Sequence, residues 1–320
     1  MSTKDTFLVT GGMGCIGAWT LYHLVKGGNT AVSFDLSNNK HRLNLLLSPE
    51  EQRAITFVEG DLTDYAQVEA VFQQHGINRV VHLAALQIPF CKVNPVMGAQ
   101  VNVSGTAHVF EAARENNIQH IAYASSIAVY GPPEIYPPGL IAHDAPFDPH
   151  TLYGVCKVAN EGMAKVYWQD YGVGSVALRP FTVYGVGRDQ GMTSEPTKAL
   201  LATAAGKPFH ITFGGAMQFQ WVSDIAQQFI AAAVEEPTGA HVFNLGNAPI
   251  AVSQFVETLR NIRPDADVTV GDTILPFPIG YDGSALRNHA KRMFETPLNE
   301  GITQTLSHFE QAINQRLLNP

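Results

Sequence analysis

The chain has 320 residues, 45% of them hydrophobic, with 28 glycines and 19 prolines, an ordinary globular composition that excludes a disordered or collagen-like chain. Twenty basic against 28 acidic residues leave a net charge of −8, so nothing draws the protein to a phosphate backbone and nucleic acid is not an expected partner. Charged residues are only 15% of the chain, below the roughly 25% of soluble proteins, which predicts a surface partly covered by another subunit.

Cys15, Cys91 and Cys156 are odd in number and share no framework or metal-ligand spacing, and the 12 histidines form no H-E-x-x-H. Reduced thiols of a cytoplasmic protein are expected, and no metal site. Lys4-Asp5 runs straight into Phe7-Leu8-Val9, too short for the apolar core of a signal segment, and no stretch of 18 apolar residues follows. The expectation is a soluble protein with no membrane partner.

In chain order, a strand is predicted over residues 6–10, a helix over 16–26, and strands over 31–35 and 56–59. A helix then opens near Asp64, followed by a strand over 79–83, a helix over 101–116, a strand over 120–124, a helix over 153–170 and a strand over 175–178. Apolar strands with little inside alternation, separated by helices, are the mark of a parallel sheet buried on both faces. The predicted class is α/β, a doubly wound parallel sheet. Beyond Arg179 the pattern loosens into helices over 196–205 and 224–234 and strands over 210–213, 219–222 and 241–244. This reads as an N-terminal unit over 1–178, with returning segments near 219–247, and a smaller lobe over 179–320. Residues 37–53 fit no element, and Gly and Pro cluster over 131–149 and 264–283.

Directly after the first strand, Gly11-Gly12-Met13-Gly14-Cys15-Ile16-Gly17 spells G-x-x-G-x-x-G and runs into a helix. Gly11 suits the tight turn, Gly14 a close approach of backbone to a pyrophosphate, and Gly17 close packing of the helix on the strand. The helix N-terminus offers free amides to the negative charge. Asp35 stands at the end of the next strand, eighteen residues after Gly17, near the interval at which an acid meets an adenosine ribose. A carboxylate there accepts from both ribose hydroxyls and repels a 2′-phosphate, so NAD is favoured over NADP. Lys40 and Arg42 keep NADP open as a lesser alternative. Asp61-Leu62 and Leu83-Ala84-Ala85 follow the third and fourth strands, at carboxyl ends where open α/β sheets bind ligands. Asp61 could equally cap the next helix.

Tyr153 and Lys157 lie one turn apart on the face of a predicted helix, a spacing that puts their Cβ atoms about 5–6 Å apart. An ammonium beside a phenol stabilises phenolate and moves its pKa down toward the working range. Such pairs occur by chance on many helices; Ser126, at the end of the fifth strand, singles this one out. Its hydroxyl could hold a substrate oxygen while Tyr153 exchanges the proton, with Lys157 tuning the phenol and bonding the nicotinamide ribose.

The Gly-rich turn, Asp35, Asp61-Leu62, Leu83-Ala84-Ala85, the S-S-x-x-V-Y-G stretch from Ser125, Y-x-x-x-K, Arg179-Pro180-Phe181-Thr182-Val183-Tyr184-Gly185, Trp221-Val222-Ser223-Asp224 and Pro297-Leu298-Asn299-Glu300-Gly301 together resemble the extended short-chain dehydrogenase/reductase family, of the NAD-dependent epimerase/dehydratase type. The resemblance implies a Rossmann-like domain with a C-terminal substrate-binding lobe, a tightly bound NAD, catalytic Ser126, Tyr153 and Lys157, and a homodimer. It also implies cofactor contacts at Cys15, Ile16, Asp35, Asp61, Leu62, Leu83, Ala84, Tyr153 and Lys157.

Two departures bear on substrate. Nucleotide-sugar members commonly carry Asn where this chain has Thr182, and an Arg on the substrate diphosphate where it has Met217. A thioether cannot replace a bidentate guanidinium. Arg188, Arg287 or Arg292 could substitute from elsewhere; otherwise Arg188 is either a surface residue or the receptor for one carboxylate or phosphate of a smaller substrate. Gln87, Tyr136, Thr182 and Arg188 are the predicted substrate contacts, with Ser126 and Tyr153. Residues 131–149 are too long for a passive connection and are predicted to line the substrate entrance. The sequence thus predicts an NAD-dependent oxidoreductase acting at a secondary alcohol of a small sugar, sugar acid or similar polyhydroxylated compound. A sugar or nucleotide-sugar epimerase/dehydratase that retains NAD is the alternative.

Overall fold

The computed structural model describes residues 5–235 and 238–318. Seven strands make one parallel sheet: β1 (Thr6–Thr10), β2 (Thr30–Asp35), β3 (Ile55–Glu59), β4 (Arg79–His82), β5 (His120–Ala124), β6 (Gly174–Arg179) and β7 (Ala240–Asn244). Their order is β3-β2-β1-β4-β5-β6-β7. The winding direction reverses between β1 and β4, which opens a crevice at their carboxyl ends.

Both faces of the sheet are covered. Phe7 and Val9 of β1 point into one core with Leu21 and Leu24 of α1 (Cys15–Lys26). Leu8 points into the other, with Val68 of α2 (Tyr65–His75), Phe110 of α3 (Gly105–Glu115) and Ala164 of α4 (Leu152–Tyr171). Alternate residues thus meet apolar neighbours on opposite sides, which is why these strands read as continuous apolar runs. Helix α5 (Val222–Glu235) joins α1 on the first face and leads toward β7.

The predicted strands near 210 and 219 stay outside this sheet. Phe209–Phe213 pairs with Val268–Thr273, and Phe219–Trp221 pairs with Thr182–Tyr184, both in parallel. Ala216–Met217 pairs with Ile250–Ala251 in antiparallel register. These pairs pack with helices Glu195–Ala204, Val252–Ile262 and Leu298–Asn314, whose Leu200, Phe255 and Phe309 extend the core on the α1 face. Residues 37–53 hold a 3₁₀ turn, Leu43–Leu45, and a short helix, Pro49–Gln52, whose cap is reciprocal between Ser48 and Glu51. Ahead of α3 the helix relaxes into a π turn over Gln100–Ser104.

Candidate active site

The Gly-rich turn is fixed by sterics. Gly11 has φ +73°, and a Cβ on it would stand 2.7 Å from the Ala84 amide nitrogen, so the turn after β1 lies directly on the backbone that leaves β4. Gly17 packs against the Gly11 carbonyl inside the turn, where a Cβ would come within 2.1 Å of the oxygen, and this brings the N-terminus of α1 to the crevice. Asp35 reaches across from β2: its carboxylate accepts from the Met13 amide at 2.9 Å and from the Ser37 amide at 2.9 Å. That holds an acid at the rim of the turn, where an adenosine ribose fits.

Asp61 does not cap α2. Asp64 does, accepting from Ala66 and Gln67, while Asp61 accepts from the Thr63 amide at 2.8 Å. Arg42 is anchored to the Met13 carbonyl at 2.9 Å, the Gly187 carbonyl at 3.1 Å and Asp189 at 2.7 Å, and Lys40 lies over the Phe57 ring. Arg42 is thereby engaged with Asp189 and two carbonyls rather than free for a 2′-phosphate.

At the other end of the crevice stand Ser126, Tyr153 and Lys157. Ser126 has extended backbone and caps the 3₁₀ turn Ile127–Val129, its hydroxyl accepting from the Ala128 amide at 3.1 Å. With that lone pair engaged, the O–H points away to donate. Thr151 caps α4 by accepting from the Gly154 amide at 3.0 Å. A Cβ on Gly154 would lie 2.1 Å from the Ala128 carbonyl, so glycine lets the first turn of α4 press Tyr153 against the Ser126 turn. Lys157, buried, donates to the Ala124 carbonyl at 2.7 Å, and its Nζ is 5.5 Å from the centre of the Tyr153 ring.

Burial pushes the Tyr153 phenol up to about 12, against the pull of Ser126 and of the Arg188 charge, and lowers Lys157 to about 8. The expected downward push of Lys157 on the phenol is not found: burial dominates, and the cation that bears on Tyr153 is Arg188. His82 is also buried, bridging Thr10 at 2.7 Å and Thr106 at 3.0 Å, and burial lowers it to about 3. It stands neutral close to Lys157.

Residues 7–246 match the model of the NAD-dependent epimerase/dehydratase family. The chain belongs to the NAD-dependent epimerase/dehydratase family. It is 29% identical to a UDP-glucose 4-epimerase of Streptomyces lividans over 273 residues, 80% of this chain and 80% of that one. It is 26% identical to the structure of a UDP-N-acetylglucosamine 4-epimerase from Methanobrevibacter ruminantium, with a TM-score of 0.82 over 98% of this chain and 100% of that one. A GalE-like L-threonine dehydrogenase from Cupriavidus necator, 20% identical, has a TM-score of 0.81 over 95% of this chain and 99% of its own, a likeness of fold. The protein is an NAD-dependent enzyme with a Rossmann-like fold.

NAD fits what the chain presents. A cavity of about 640 Å³ runs along the carboxyl edge of the sheet and includes Gly11, Gly14, Cys15, Ile16, Gly17, Asp35, Asp61, Leu62, Leu83, Ala84 and Ala85 at one end, and Gln87, Ser126, Tyr153, Lys157 and Arg188 at the other. Two predicted substrate contacts are not on its wall. Tyr136 is buried in the 131–149 loop, its hydroxyl accepting from Gly131 and donating to the Pro146 carbonyl. Thr182 is buried in its strand, with its hydroxyl on the Met217 sulfur at 3.4 Å.

The 131–149 loop contributes nothing to the wall. It closes on itself and on Tyr281, through a bridge at Ile141 and the stacked rings of Tyr130 and Tyr281. The entrance is lined instead by Phe181, Gln190, Met192, Thr193 and Phe277, of which the sequence reading marked only Phe181, as part of a motif. For Gln190, Met192 and Thr193 the local signal was the Gly-rich stretch after Tyr184.

Proposed function

We propose that this protein is an NAD-dependent oxidoreductase that moves a hydride at a secondary alcohol of a small polyhydroxylated substrate. The observation that carries this reading is Met217. Where nucleotide-sugar members commonly place a diphosphate-binding Arg, this chain has a thioether, 3% exposed and turned into the core. Of the other candidates, Arg188 alone lines the cavity. Arg287 is tied to Glu295 at 2.5 Å and to the Gly246 carbonyl, Arg292 lies over the Phe294 ring, and neither lines the cavity.

NAD, when bound, supplies the hydride acceptor. The chain supplies the rest. Asp35 and the amides of the Gly11–Gly17 turn hold the adenosine and pyrophosphate, and Lys157 the nicotinamide ribose. Ser126 would donate to the carbinol oxygen and Tyr153, once ionised, would take the hydroxyl proton, leaving a ketone in place of the alcohol. The Arg188 charge pulls the phenol toward phenolate against its burial. The lobe formed mainly by residues 179–320 sets which alcohol reaches Tyr153.

The second reading is an epimerase in which the hydride returns to the opposite face of the ketone. The UDP-sugar epimerases among the relatives favour it. Incubation with free sugars, sugar acids and UDP-, GDP- or dTDP-sugars separates the two. Stoichiometric rise at 340 nm with added NAD on a non-nucleotide substrate is the expected result. Conversion of a nucleotide sugar with no added NAD and no change at 340 nm makes it an epimerase.

We further propose a homodimer in the cytoplasm. Three free thiols, Cys15, Cys91 and Cys156, suit a reducing compartment. Val155, Ala159, Gly162 and Val166 form an exposed apolar stripe along α4, beside exposed Phe90, Val93, Val96 and Met97. A contiguous apolar face of this kind marks a subunit contact.

A further inference from the structure

The following inference rests on the dehydrogenase reading and narrows its substrate. Arg188 stands on the cavity wall beside the catalytic group with little to bind. Its Nη2 meets only the Thr193 hydroxyl, at 3.4 Å, and its Nε is buried with no acceptor. Among the described residues no carboxylate pairs with it: the adjacent Asp189 turns the other way, to Arg42 at 2.7 Å and His41 at 3.2 Å. A guanidinium is always charged, and leaving one partly buried without an acceptor is costly unless an anion arrives with the ligand.

The surroundings are shaped for such an arrival. Gly191 has φ +99°, and a Cβ there would stand 2.8 Å from Arg188 Nη2 and 3.0 Å from Gln87 Oε1. The guanidinium from the segment after β6 and the amide from the segment after β4 therefore converge over a bare glycine, and both line the cavity. Arg188 also bears electrostatically on the Tyr153 phenol, which puts it at the reacting end of the crevice. Its charge is felt at Cys15 as well, on the pyrophosphate side. The ligand chemistry is in either case a pair of anionic oxygens. The pyrophosphate, however, already has the amides at the N-terminus of α1, and a contact to it does not explain the convergence with Gln87.

We propose that Arg188, flanked by Gln87 and Thr193, receives a carboxylate of the substrate, so that the enzyme oxidises a hydroxy acid of the aldonate class rather than a neutral sugar.

The test uses the full chain loaded with NADH, titrated calorimetrically with D-gluconate, D-galactonate and L-threonate and with the uncharged alditols D-glucitol, galactitol and L-threitol. Expected is a preference of about tenfold or more for at least one acid over its alditol, as one charge-assisted contact confers. Arg188→Met should abolish that preference, Arg188→Lys should restore part of it, and NAD affinity should stay within about twofold in both. The wild-type comparison and Gln87→Leu, which should weaken acids more than alditols, keep the test decisive if the arginine variants fold poorly.

Equal binding of acids and alditols, or no binding by any acid, overturns the assignment. So does an Arg188→Met variant that loses acids and alditols alike, or one that loses NAD about tenfold, which would give the guanidinium to the pyrophosphate. A carboxylate preference without NADH formation from any acid sinks the dehydrogenase reading and leaves Arg188 as the anion receptor.

Discussion

Two of the three proposed catalytic side chains have one atom tied down and another left for the substrate. Ser126 spends a lone pair on Ala128, and Lys157 one proton on the Ala124 carbonyl, so their remaining donors face the crevice. Tyr153→Phe removes the proton acceptor alone and should lower kcat about 10²–10⁴-fold with NAD affinity unchanged; titration of NAD quenching beside steady-state rates separates the two effects. Lys157 gives a test of sign. Its folded pKa, about 8, lies below the usual 10.5, so the unfolded chain binds the proton more tightly and stability rises with pH across that window. Lys157→Met should be inactive. Its stability advantage over the parent, free of cofactor, should shrink by about 2–3 kcal/mol between pH 7 and pH 10.5, read from urea midpoints; a constant difference would show that the lysine bears no burial penalty.

At the scale of elements, the Ser126 turn and α4 are held together by a buried polar network behind the crevice. Glu161, one turn beyond Lys157, pairs with Arg179 of β6 at 2.6 Å and accepts from the Ser125 hydroxyl at 2.5 Å. Arg179 donates onward to Tyr130 at 2.7 Å and to Asn244 of β7 at 3.1 Å. The pair is 3% exposed on each side, so Glu161→Gln leaves an uncompensated guanidinium and should cost about 3–5 kcal/mol by urea unfolding, whereas Glu161→Leu with Arg179→Met should cost far less. A single variant no worse than the double would refute the network.

Here the limits of sequence reading are plain. Gly11 through Gly17 and Asp35 were legible because their spacing follows from local chain mechanics. Tyr153 with Lys157 follows from helix periodicity, and the apolar strands from burial on two faces. Arg42 with Asp189, Phe277 at the entrance, and Glu161 with Arg179 depend on segments that meet only after folding, and no local pattern marks them. Thr182 and Tyr136 lie off the cavity wall for the same reason: a motif gives a position along the strand or loop but not the direction of the side chain.

On the scale of the whole molecule, one core runs from α1 through the C-terminal lobe. The Trp19 ring packs edge-on against Trp221 at 5.8 Å, and Trp221 in turn donates to Thr305 of the last helix. Helix α4 lies on the other face, and its outer stripe from Val155 to Val166 is left bare. These positions recur every three or four residues, a spacing that keeps them on one side of a helix and suits packing against a symmetry-related copy. Burying that stripe in a two-fold contact would brace α4 and with it Tyr153 and Lys157, so assembly and activity should be coupled. Val155→Glu with Val166→Glu places two charges on the stripe without touching the crevice. Sedimentation velocity should then show a dimer for the parent and a monomer for the variant, with the fold kept by circular dichroism and turnover reduced several-fold. A parent that sediments as a monomer would reject the subunit contact, and a monomeric variant of full activity would show that the catalytic helix needs no support from a second chain.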